Sequence, residues 1–225
     1  VLSLVAGTRV PATRERTLTD ERDLPGLSVR EFVSATASRT PTPGGGSVAG
    51  VVGALGVALG EMALNFTKGK KKYAEHEDFY EHLASRLAVA RGMFLDLVAD
   101  DVAAFSLYQD AMRKEDGPEK DEAVQLATAA AIDVPREMTK IALALLSDLA
   151  ELSDKCNPYL VTDLLAAATL AVAVVRLSDY NVRVNAPQFS DASESDEIRR
   201  SSAEDLKRAV ELVNMIETTG AAHLG

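Results

Sequence analysis

The chain has 225 residues, a formal net charge of -10, 47% hydrophobic and 5% aromatic residues, no tryptophan and one cysteine. That length holds one large domain or two small ones, and the acidic balance argues against a general nucleic-acid binder. A lone cysteine, Cys156, excludes an intrachain disulfide and suits a reducing, cytoplasmic setting. With so few aromatics the core must be built from Ala, Val and Leu, which favours closely packed helices over sheets.

Residues 1–26 mix charge, threonine and proline without a period and read as an extension ahead of a domain over 27–225. The opening VLSLVAG has no basic segment and too short an apolar run for a secretory signal. Ser28 with Glu31 three residues on is a capping-box signal, and Val29, Phe32 and Val33 give the helix behind it an apolar stripe. Pro41 and Pro43 end that helix. PTPGGGS at 41–47 then leads into a second helix, expected from Ser47 to about Thr67. Gly50, Gly53, Gly56 and Gly60 interrupt it, each costing about 0.5–1 kcal/mol relative to alanine. Close approach of neighbouring helices is the expected compensation, which makes this a central helix of a tight bundle.

TKGKKKYAEHED is a polar break, and a long helix follows from about Glu75 to Arg113. Leu83, Leu87, Ala90, Phe94, Leu97, Asp101, Ala104 and Tyr108 recur there at steps of three and four. Pro118 suits a first helical position, and Pro135 is expected to kink or split the helix over 119–152. Pro158 opens another helix that stops before Pro187, and Asp191 can cap a last amphipathic helix over 194–218. Strand signals are absent. The expectation is an all-α, antiparallel bundle of about six helices with a long central helix. The longest uncharged runs, Ser47–Gly60 and Leu164–Val175, fall short of the ~18 residues of a spanning helix. They read as buried helices of a soluble bundle, with no membrane partner.

Polar residues inside these apolar helices are the candidates for chemistry. Glu61 and Asn65 are four apart; Asp96, Asp100 and Asp101 interrupt a long apolar face; Asp163 follows Asn157 by six; Asn181 and Asn185 are four apart. Each alone reads as a solvent-facing residue or a cap, but burying an ionised carboxylate is costly, so their recurrence beside the greasiest helices is informative. Lys68, Lys70, Lys71 and Lys72 make a local cationic run in an acidic chain, either a solvated loop or an anion site. Gly44, Gly45, Gly46 and Ser47 place free backbone N–H groups at a helix N-terminus. The Walker pattern, GxGxxG and HExxH are all missing. His76, His82 and His223 do not cluster with cysteine, so no metal site is expected.

In this order the pieces resemble the formiminotetrahydrofolate cyclodeaminase family, which includes methenyltetrahydrofolate cyclohydrolases. The matching stretches are TPTPGGGSVAG at 40–50, GALGVALGEMALNFTKGKKKY at 53–73, DVAAF at 101–105, CNPYLVTDLLAAATLAVAVV at 156–175 and NVRVN at 181–185. Cys156 and Thr162 stand where the family pattern has Gly and Ser. The resemblance implies a folate one-carbon enzyme acting at the N5/N10 unit, with Asp101 and Asp163 as acid–base carboxylates. It implies that Gly44, Gly45, Gly46, Ser47, Tyr73, Asn157, Asn181 and Asn185 contact the folate, and that Lys70, Lys71 and Lys72 take its glutamate tail. It further implies a homodimer and no metal or redox cofactor. The alternative it leaves is an inactive folate-binding or structural paralogue of the same fold.

Overall fold

The computed structural model describes residues 23–221. Most of the 1–26 extension, and His223, lie outside the described residues. Leu24–Gly26 form a 3-10 turn held by the Asp23 side chain, which accepts from the Gly26 amide, and the turn rests on the long helix Glu77–Met112.

Six helices follow: α1 Val29–Thr36, α2 Gly45–Asn65, α3 Glu77–Met112, α4 Pro118–Leu152, α5 Val161–Asn185 and α6 Ala192–Ala221. No strand occurs among the described residues. Short 3-10 turns at Lys71–His76, Pro158–Leu160 and Ala186–Gln188 join them. The starts obey the expected local signals. Ser28 and Glu31 form the full capping box, Pro118 opens α4, and Asp191 Oδ1 accepts from the amides of Ser193 and Glu194.

The core lies between α2, α3, α4 and α5, with α6 closing it against α4 and α5. The glycines of α2 make this packing possible. A β-carbon on Gly53 would sit 2.5 Å from the Phe94 ring, and one on Gly50 would sit 2.6 Å from Val98 Cγ2. On the neighbouring side, a β-carbon on Gly56 would lie 3.3 Å from both the Ala167 carbonyl and Leu170 Cβ. The helical propensity lost at each glycine is offset by close contact with α3 and α5.

Three expectations are corrected. The α1 stripe does not enter the core: Val29 is 82% exposed and Val33 60%. No residue of this eight-residue helix is buried, and Phe32 alone of the stripe is half-buried. Second, α2 begins at Gly45 rather than Ser47, and the Ser47 amide in its first turn bonds to the Asp101 carboxylate on α3. Third, Pro135 does not split α4. The proline removes the amide that would bond the Ala131 carbonyl, and Asn185 Nδ2 donates to that carbonyl at 3.5 Å. Pro135 is itself buried, so apolar packing on both sides holds the helix together.

Among the described residues two helices are long and apolar enough to cross a membrane, α2 and the stretch Pro158–Gln188; 56% and 44% of their most apolar windows are buried in the bundle. Neither is therefore wholly enclosed by the bundle.

Candidate functional site

Asp101 sits on α3 opposite the first turn of α2. Gly44, the N-cap of α2, has no side chain to satisfy the helix's free amides. Asp101 does so from across space. Ser47 Oγ donates to Asp101 Oδ2 at 2.7 Å, and the Ser47 amide donates to the same carboxylate. A β-carbon on Gly46 would overlap Asp101 Oδ1. Gly46 is therefore required by the space the carboxylate occupies, whereas a β-carbon on Gly45 would meet nothing within 4 Å.

Burial pushes the Asp101 carboxyl above the ordinary carboxylate range, and the two Ser47 hydrogen bonds pull part of the way back. No cation offsets that burial. The result is a half-buried carboxylate of raised basicity, fixed in position by one oxygen, at the positive end of a helix dipole. Asn181 and Asn185 belong to this end of the bundle, because α5 runs antiparallel to α2. Their amide NH2 groups bond back to the Leu177 and Asn181 carbonyls at 3.0 Å each.

The remaining candidates lie at the other end of α2. Lys70, Lys72, Tyr73, Asn157, Pro158 and Tyr159 line a surface hollow of about 430 Å³. Lys72 Nζ sits 5.2 Å from the centre of the Tyr73 ring. Among the described residues none of Lys68, Lys70, Lys71 and Lys72 is ion-paired. Lys68 and Lys71 are exposed and lie outside the lining of the hollow. Asp163, in the first turn of α5, is half-buried and close enough to Cys156 for its charge to help raise the thiol pKa, after burial as the main cause.

Asn157 is held by a residue that sequence reasoning passed over. Thr67 is fully buried at the end of α2. Its hydroxyl donates to the Ala63 carbonyl at 2.7 Å and accepts from the Asn157 amide at 2.9 Å. Asn157 Nδ2 donates to the Phe66 carbonyl at 3.2 Å, and Asn157 Oδ1 accepts from the Tyr159 amide at 3.3 Å. Cys156 Sγ lies 3.7 Å from Thr67 Oγ1, so the thiol is part of this buried latch. A threonine at the end of an apolar helix, two residues before a glycine, is the available signal.

The structure thus divides the candidates into two groups. Gly44–Ser47, Asp101, Asn181 and Asn185 are at one end; Lys70, Lys72, Tyr73, Asn157 and Asp163 are at the other. From Ser47 to Thr67 is twenty residues of helix, about 30 Å at 1.5 Å per residue. Asp101 and Asp163 do not meet within one chain. Three other candidates have plainer surroundings: Glu61 accepts from Arg91 Nε at 2.7 Å, and Asp96 and Asp100 face solvent. A second carboxylate buried in an apolar helix, Asp179, ties α5 to α6. Ser202 Oγ donates to its Oδ1 at 2.9 Å, and Arg183 Nε lies 2.8 Å from its Oδ2.

The formiminotransferase-cyclodeaminase family model matches residues 28–204. A methenyltetrahydrofolate cyclohydrolase of Methylorubrum extorquens is 33% identical over 176 residues, covering 76% of this chain and 84% of that protein. A formimidoyltransferase-cyclodeaminase of Dictyostelium discoideum is 30% identical over 198 residues; the match covers 85% of this chain but only 37% of that longer protein. Among solved structures, a formiminotetrahydrofolate cyclodeaminase from Thermotoga maritima superposes with a TM-score of 0.83 at 30% identity, over 90% of this chain and all of that one. The match takes in both ends of α2, with Asp101, Asp163 and the lysine run, and on it the chain belongs to the formiminotransferase-cyclodeaminase family.

Proposed function

We propose that this protein is a folate one-carbon enzyme, a cyclodeaminase or cyclohydrolase acting at the N5/N10 unit of a tetrahydrofolate. The observation that carries the reading is Asp101: an uncompensated, half-buried carboxylate with a raised pKa, held by Ser47 at a helix N-terminus. In the cyclodeaminase reaction, N10 of the folate attacks the formimino carbon on N5, loses its proton and expels ammonia. The step needs a base for that proton and an acid for the leaving amine, and the product is a methenyl cation. A carboxylate tuned upward by burial can take the proton, return one to the amine, and stabilise the cation. The cyclohydrolase reaction adds water to the same cation and needs the same base. Asp163 is the second carboxylate. Asn157, Asn181 and Asn185 supply hydrogen bonds to the pterin, and Lys70 and Lys72 with Tyr73 receive the glutamate tail.

Written this way the reaction uses no metal or redox cofactor. The same reading makes the protein a cytoplasmic homodimer with a small-molecule substrate, without nucleic-acid or membrane partners.

The near-UV absorbance of methenyltetrahydrofolate tests it. Wild-type protein should speed the loss of that band, or build it up from a formimino substrate. No change with either substrate overturns the enzymatic reading, and retained folate binding in that case would identify an inactive paralogue.

A further inference from the structure

The hollow beside the lysine run has two tyrosines in its lining, and their surroundings differ. Tyr73 is engaged. Its ring packs against the core, and Lys72 Nζ stands 5.2 Å from its centre. Tyr159 is open. It is 91% exposed, more than any other large hydrophobic side chain among the described residues, and no ring or cation among them contacts it.

An exposed tyrosine on a loose loop would mean little, but this one stands on a rigid base. Pro158–Leu160 form a 3-10 turn that opens with the fixed torsion of proline. Asn157 caps the turn. Its Oδ1 accepts from the Tyr159 amide at 3.3 Å, and its carbonyl accepts from the Leu160 amide at 2.8 Å. Thr67 Oγ1 and the Phe66 carbonyl hold Asn157 in place. From α3, the hydroxyl of buried Tyr80 donates to the Lys155 carbonyl at 2.8 Å and braces the chain just ahead of the turn. Tyrosine has only two side-chain torsions, so on this base a ligand covering the ring freezes little motion.

The rest of the lining sets the chemistry of that ligand. Lys70 and Lys72 have no acidic partner among the described residues. The volume, about 430 Å³, lies in the range of small-molecule sites. An open aromatic ring beside two unpaired cations fits a molecule that joins a flat ring to carboxylates. A bare anion would leave Tyr159 unused, and an apolar ligand would leave the lysines unused.

We propose that Tyr159 is the stacking platform for the aminobenzoyl ring of the folate, with the glutamate carboxylates carried by that ring reaching Lys70 and Lys72. Tyr159 then makes the hollow selective for the aminobenzoyl-glutamate half of the substrate over anions of other shapes. The assignment rests on the folate reading and deepens it. N10 is the amino nitrogen of this ring, and Asp163 follows Tyr159 by four residues in the first turn of α5. The stack therefore keeps the attacking nitrogen near the turn that carries the second carboxylate.

Inhibition of folate turnover by two fragments tests the platform: p-aminobenzoylglutamate, which has the ring, and γ-linked triglutamate, which lacks it. In the full chain carrying Tyr159→Ala, the inhibition constant of p-aminobenzoylglutamate should rise about 2- to 12-fold, the worth of one aromatic pair. That of triglutamate should not change. Tyr159→Phe should behave as wild type towards both fragments, and Lys70→Ala/Lys72→Ala should weaken both. Since the side chain is exposed, Tyr159→Ala should keep the wild-type urea midpoint and the wild-type mass by light scattering.

An active wild type that p-aminobenzoylglutamate does not inhibit overturns the proposal, as does an inhibition constant unchanged by Tyr159→Ala. An equal loss in Tyr159→Phe would assign the hydroxyl rather than the ring and overturns the stack. A Tyr159→Ala chain of altered mass would make the tyrosine an interface residue and overturns it as well. A wild type inert to every folate overturns the folate reading instead. Calorimetric titration of p-aminobenzoylglutamate into wild type and Tyr159→Ala then decides the platform, and equal binding or none overturns it.

Discussion

The two ends of α2 carry polar groups held in opposite ways. At its N-terminus a carboxylate is enclosed: Asp101 replaces a missing side-chain cap, accepts two hydrogen bonds from Ser47 and leaves no room for a β-carbon at Gly46. At its C-terminus the four lysines are exposed, and the backbone beneath them is fixed by Thr67 and Asn157. Enclosure raises the Asp101 pKa. The first end is thus fitted to move a proton and the second to attract an anion.

Substitutions at the two ends should separate these tasks. The largest effect is expected from Gly46→Val, which drives a side chain into Asp101. It should abolish turnover and lower stability by about 1–3 kcal/mol by urea unfolding, the usual cost of overpacking. Gly45→Ala, one residue away with open space, should leave stability undiminished.

Thr67→Val comes next. It keeps the shape but leaves the buried Asn157 amide without an acceptor, so about 1–3 kcal/mol of stability should be lost. Affinity for folate should fall further than turnover.

Ser47→Ala removes a hydrogen bond that favours the ionised carboxylate. Asp101 should then titrate higher still, and the acid limb of the pH–rate profile should move to higher pH. The sign of the stability change with pH follows from the same residue. The folded pKa of Asp101 lies above its unfolded value, so its contribution is fully present below about pH 4 and is lost as pH rises through the raised value. Asp101→Asn removes that loss. Its urea midpoint relative to wild type should rise as the pH increases above about 4.

Lys70→Ala/Lys72→Ala should have the smallest effect. Exposed charges contribute little to folding, about 0–1 kcal/mol at most. The double variant should weaken binding of polyglutamylated folate more than monoglutamate and blunt its salt dependence.

Much of this architecture is legible from punctuation in the chain. Pro118, Pro158, Asp191 and the Ser28–Glu31 box mark helix starts because capping and proline geometry are local effects. Where the reading fails, the deciding contact comes from far along the chain. The start of α2 is set by Asp101, fifty-four residues away from Ser47, and the continuity of α4 through Pro135 is helped by Asn185, fifty-four residues from Ala131. No local signal carries either contact. The exposure of Val29 and Val33 is a similar case, since periodicity reports a stripe but not what covers it. The residue types of the candidate site are readable, and their division follows from helix rise alone. Twenty residues of α2 cannot fold back on themselves, so a loop before it and a lysine run after it belong to different ends. Thr67 escapes notice because its role is to hold a neighbour's backbone.

Saturating turnover of wild type and Asp101→Asn on the same folate substrate tests the central claim most directly. With Asp101 as the proton acceptor, turnover should fall by at least about 100-fold, the ordinary contribution of a general base, while folate binding is retained. Full turnover in the variant would contradict the account and leave Asp101 as nothing more than the cap of α2.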